Sequence, residues 1–171
     1  MSINSKNEVN EKGGGVKEKG FALHVLPSVV NDLLKEVTQI YQQNKDLTDE
    51  TLLALHSMFG SPLEKALELL ETNCVVYLRS PQGRYVIQVT SSSGIPYTLF
   101  PGVNYCSCPA YHYQVIGTQT FLTCKHVLAA RLAEIMHKGR DLSVSSDELT
   151  RVLCAAANLD GDAADSNSFV T

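Results

Sequence analysis

At 171 residues, 44% of them hydrophobic, with a formal net charge of −4, the chain can build one compact domain with its own core. No stretch approaches the roughly eighteen uninterrupted apolar residues of a membrane span, and the polar N-terminus lacks the apolar centre of a secretory signal, so the expectation is a reducing, cytosolic or nuclear setting without a membrane partner. In that setting five cysteines point to metal binding sooner than to disulfides.

Residues 1–20 are polar, include Gly13-Gly14-Gly15, and read as a disordered tail. A single domain is expected over 21–157, with a helical part at 21–73, a strand-rich part at 74–140 and a C-terminal helix within 141–157. Leu26, Val29, Val30, Leu33, Leu34, Val37, Ile40 and Tyr41 recur at helical spacing, with Pro27 in the first turn. A second helix is predicted from Thr48 to Phe59, capped by Thr48, favoured at its positive end by Asp49 and Glu50, and stopped by Gly60. A third begins at Ser61-Pro62-Leu63-Glu64, which reads as a capping box. Leu52, Leu53, Leu55, Met58 and Phe59 occupy more than one face, so these helices carry either core on several sides or an interface. The pair Glu64/Glu68 reads as a solvated acidic face.

The texture then turns to β. Cys74–Arg79 and Arg84–Thr90 are rich in β-branched and aromatic residues and flank the turn Ser80-Pro81-Gln82-Gly83. Pro96–Phe100 reads as a third strand, and Pro101-Gly102-Val103-Asn104 as another turn. A helix follows from about Lys125 to Met136, with Gly139 as its stop, and a last one from about Ser146 to Ala157 behind a Ser145/Glu148 capping box. Beyond Asn158 the sequence is small, polar and acidic, and reads as a flexible tail. The expected fold class is α+β: N-terminal helices, a small antiparallel sheet, a metal-bound motif leading into a helix, and a short C-terminal helix.

Charge is unevenly spread. Residues 21–73 carry three lysines against eight acids, a balance of −5, whereas residues 74–140 carry six basic residues against Glu134 alone, a balance of +5. A basic segment can attract nucleic acid or an acidic protein surface.

Within that basic segment lie Cys106-x-Cys108 and, after fifteen intervening residues, Cys124-x-His126. Structural zinc takes four thiolate or imidazole donors in a tetrahedron. Cysteines two apart on an extended segment face the same side, and Cys124 and His126 fall where a loop enters a helix. Lys125 is placed to offset the −1 charge of a three-thiolate, one-imidazole zinc. Four strong donors leave no open coordination position, so the expectation is one structural Zn2+ and a binding module, not an enzyme. His112 is an alternative ligand, and Cys74 and Cys154 read as buried thiols. No GxxxxGK[ST], GxSxG or HExxH motif is present.

Cys-x-Cys, a spacer and Cys-x-His at the head of the apolar run CKHVLAARLAEIM resemble the SWIM zinc finger family. Over roughly 21–157 the order of elements is similar to that of the small SWIM-domain subunits of Shu-type complexes. That resemblance implies a nuclear protein of homologous-recombination repair. It would pair, as a heterodimer, with a RecA-like recombinase paralogue and support assembly of a recombinase filament on single-stranded DNA, with DNA reached through the complex. The competing expectation is a zinc finger that itself binds single-stranded nucleic acid, drawing on the basic segment and on Tyr105, Tyr111, Tyr113 and Phe121 as stacking platforms.

Overall fold

The computed structural model describes residues 26–158; the tails expected at 1–20 and beyond Asn158 lie outside them. Helix α1 (Ser28–Asn44) starts behind Pro27, buries Val30, Leu34 and Val37, and closes on a left-handed Lys45 whose N–H reaches the Tyr41 carbonyl. Helix α2 (Asp49–Phe59) has the Thr48 cap, its hydroxyl accepting from the Thr51 N–H. The box expected at Ser61/Glu64 does not form. Gly60, at φ +62°, serves both helices: its N–H bonds back to His56, its carbonyl accepts from Leu63, and Ser61 is already inside α3 (Ser61–Glu71). Glu64 turns instead to His56 Nε2, 3.4 Å away.

Leu55 and Phe59 are buried and Leu52 and Met58 pack against the core, while Leu53 is 68% exposed. The extra apolar faces of α2 are therefore mainly core. No helix among the described residues is long and apolar enough to cross a membrane.

Strands β1 (Val75–Arg79), β2 (Tyr85–Thr90) and β3 (Pro96–Leu99) form an antiparallel meander, pairing Tyr77 with Ile87 and Val89 with Tyr97. Gly83 (φ +80°) closes the first hairpin, where residues with a Cβ are disfavoured. A fourth strand, β4 (Arg140–Ser143), lies parallel to β1, so the sheet is mixed, in the order β3-β2-β1-β4. It straddles the boundary expected at 140–141. Helix α4 (Lys125–Met136) ends at a left-handed His137, two residues before the expected stop. Gly139 instead redirects the chain into β4: at φ +113° it passes so close to Tyr77 that an added Cβ would sit 2.8 Å from the ring.

One sheet face, with Val75, Tyr77, Ile87, Val89 and Leu99, packs in the main core with α1, α3 and α4. Eight of the twelve residues of α4 are buried, the mark of a helix enclosed on most sides. Helix α5 (Ser146–Asn158) covers part of the opposite face through Leu149, with Val152 and Leu153 beside it. Its Ser145/Glu148 box forms reciprocally. That inner face leaves Cys154 exposed, correcting its reading as a buried thiol; Cys74 is half-buried and its thiol donates to the Leu69 carbonyl.

Candidate metal centre

The two halves of the centre arrive from opposite directions. After β3 the chain turns and runs through residues 103–107 without regular secondary structure, then enters a helical turn at Pro109 that continues as a π-helical segment, Tyr111–Gly117. The second half is the head of α4, where Cys124 occupies the N-cap position and His126 the first turn.

All four side chains are buried, and the sulfurs of Cys106, Cys108 and Cys124 and a ring nitrogen of His126 lie within 4.8 Å of one another. His126 Nδ1 is 3.8 Å from Cys106 Sγ. Bonds of about 2.3 Å to sulfur and 2.0–2.1 Å to nitrogen in a tetrahedron give a ligand–ligand separation near this value. The other ring nitrogen, Nε2, is buried with no hydrogen-bond partner among the described residues. Three buried thiols and an imidazole, with no carboxylate among them, are a soft donor set that suits zinc. The residues fit one structural zinc held by Cys106, Cys108, Cys124 and His126. His112 is exposed, its ring edge-on to Tyr105 and Tyr111, and stands outside this cluster.

Hydrogen bonds with Cys106 and Cys124 hold the Cys108 thiol well below its ordinary range despite burial, while the bond to Cys108 pushes Cys106 far up. At Cys124 the contact with Cys106 acts downward, but the contact with Cys108 and burial outweigh it and push the thiol up to about 12. The three sulfurs are hydrogen-bonded to one another, and a metal cation would take them as thiolates, displacing their protons.

A polar clasp joins the two halves. Thr123 donates to Asn104 Oδ1 at 2.7 Å, and Asn104 Nδ2 donates to the Leu122 carbonyl at 3.0 Å. Both side chains are almost fully buried. Asn104 stands two residues before Cys106 and Thr123 one before Cys124, so the clasp fixes the separation of the ligand pairs. Tyr111, fully buried, donates its hydroxyl to the Asn104 carbonyl and its N–H to Cys108 Sγ at 3.3 Å. Burial, then the nearby Cys124 and Cys106, pushes its hydroxyl up to about 12, which keeps it a donor. Such partners orient metal ligands and set their basicity. Tyr97 on β3 adds a wall, its ring 4.4 Å from that of His126 and tilted by 33°.

Sequence reasoning missed Asn104, Thr123 and Tyr97. The available signal was two hydrogen-bonding residues flanking the two ligand pairs. Of the aromatics expected as stacking platforms, Tyr111 belongs to the core, Tyr105 and Phe121 are half-buried, and Tyr113 is 70% exposed.

Residues 100–133, which contain all four donors, match the SWIM zinc finger family. No solved structure matches the chain. The human zinc finger SWIM domain-containing protein 7 is 40% identical over 129 residues, covering 75% of this chain and 92% of that protein. The zebrafish protein of the same name is 37% identical over 75% of this chain and 91% of its own length. A Dictyostelium discoideum homolog is 29% identical over 68% of this chain and 76% of its own. Buried donors, their spacing and similarity along most of both chains agree: the chain belongs to the zinc finger SWIM domain-containing protein 7 family.

Proposed function

We propose that the chain is a zinc-stabilised, non-catalytic subunit of a Shu-type complex in the nucleus. It pairs with a RecA-like recombinase paralogue and supports recombinase assembly on single-stranded DNA during homologous recombination. The observation that carries this reading is the similarity to zinc finger SWIM domain-containing protein 7 along three quarters of the chain, beyond the motif itself. The chemistry of the centre favours the non-catalytic part: four buried protein donors complete a tetrahedral zinc and leave no position for water or substrate. Zinc then acts by joining the segment after β3 to the head of α4, and so shapes the surface around them.

Co-purification of the tagged full chain from nuclei, with mass spectrometry and metal analysis, tests this. A RecA-like subunit recovered in near-equal amount with zinc is the expected result; its consistent absence overturns the pairing. A second reading, direct binding of single-stranded nucleic acid, is favoured by the +5 balance of residues 74–140 and the exposed ring of Tyr113. The isolated chain would then bind DNA with a steep salt dependence, whereas a chain acting through its partner shows little binding alone.

A further inference from the structure

A cleft of about 340 Å3 opens between α3, the link after β2 and the head of α4, with none of the four metal donors on its lining. Lys65, Lys125, Thr90 and Ser92 are all on its lining. Among the described residues none of these four side chains makes a hydrogen bond or ion pair. Glu68 is the single acid on the lining, and it leaves a net positive charge. The floor is apolar, formed by buried Leu69 and the half-buried Cys74, whose thiol is already committed to the Leu69 carbonyl.

Two ammonium groups and two hydroxyls with no partner among the described residues, all on the lining of one cleft, are suited to an oxyanion. Lysine binds phosphate as a flexible point charge. The volume exceeds what a lone phosphate needs and falls within the range of small-ligand pockets, where a few polar groups orient a body resting on apolar walls. We propose that this cleft binds a nucleotide, its phosphate held by Lys65, Lys125, Thr90 and Ser92 and its sugar or base resting against Leu69 and Cys74. The nucleotide arrives either free or as one residue of a nucleic acid strand. The inference does not rest on pairing with a RecA-like protein, so failure to find that protein leaves it standing and failure here leaves the pairing standing; its strand form deepens the second reading above by naming where a strand would bind.

The test uses the full zinc-loaded chain, titrated with dTMP, inorganic phosphate and an oligo(dT) strand while backbone amide shifts are followed. Binding of dTMP, or of oligo(dT) alone, that perturbs Thr90–Ser92 and Lys125 is the expected result; the first identifies a free nucleotide and the second a strand. Lys65→Glu and Ser92→Ala lie outside the zinc-bearing segments. Lys65→Glu should weaken binding by about tenfold or more, as expected for loss and reversal of a charge-assisted contact, with zinc content unchanged. Lys125→Gln should act in the same direction, with zinc measured in parallel because Cys124 is adjacent. The proposal is overturned if neither dTMP nor oligo(dT) binds, if Lys65→Glu binds like the parent chain, or if inorganic phosphate binds as tightly as both nucleotide ligands.

Discussion

Replacing Thr123 with valine keeps the shape of a buried side chain and removes only its hydroxyl. The lost contact is the 2.7 Å bond to Asn104 Oδ1, between residues that are 2% and 3% exposed. The cost is that of a lost hydrogen bond between two buried side chains, about 0.5–1.5 kcal/mol. With a urea dependence of about 2 kcal/mol/M, that loss moves the unfolding midpoint of the zinc-loaded chain down by roughly 0.3–0.8 M. Because the clasp sets the spacing of Cys106–Cys108 against Cys124–His126, zinc affinity in a chelator competition should fall as well, by about 10–100-fold for loss of a ligand-orienting partner. Thr123→Ser retains the donor and should recover most of both effects. A Thr123→Val chain with unchanged midpoint and unchanged zinc affinity would refute the idea that the clasp positions the ligands.

Cys106→Ser, Cys124→Ser and His126→Ala should each lose zinc, unfold the segment after β3 together with the head of α4, and lose partner binding, since zinc contributes on the order of 10–16 kcal/mol in small finger domains; metal analysis and pull-down check this, and a zinc-free variant that still holds a partner at full strength contradicts it. Zinc uptake should release protons, because the Cys106 and Cys124 thiols, pushed up by their neighbours and by burial, must bind as thiolates. Deprotonation favours the bound form, so zinc affinity rises with pH and falls as pH is lowered; calorimetry in buffers of different ionisation enthalpy detects the release, and a pH-independent affinity contradicts it. Gly139→Ala should destabilise by more than about 1 kcal/mol, since φ is +113° and the new Cβ would lie 2.8 Å from the Tyr77 ring and 3.2 Å from the Val75 carbonyl oxygen; a thermal melt unchanged from the parent contradicts that close approach.

Much of the architecture was legible because its signals are local. Thr48 and Gly60 bracket α2, Cys124 and the apolar run to Met136 bracket α4, and β-branched residues around Ser80–Gly83 mark the first hairpin. What escaped depends on contacts distant in sequence. Strand β4 is four exposed residues held by pairing to β1 and by Asp141 against Arg79, which the sequence Arg-Asp-Leu-Ser does not announce. The π-helical segment buries Tyr111 and Val115 but has no cap or regular apolar stripe. At Ser61/Glu64 a good local signal lost to Gly60, because α2 and α3 sit too close in sequence for a separate cap. The four donors were readable from spacing, whereas Asn104 and Thr123 look like ordinary loop residues until the fold buries them against each other.

X-ray absorption at the zinc edge of the purified full chain reads the closed, four-ligand site itself. One zinc per chain with three sulfur neighbours at about 2.3 Å and one nitrogen at about 2.0–2.1 Å is the expected result. A zinc with fewer sulfurs and an exchangeable oxygen neighbour, or a folded chain without zinc, would contradict it.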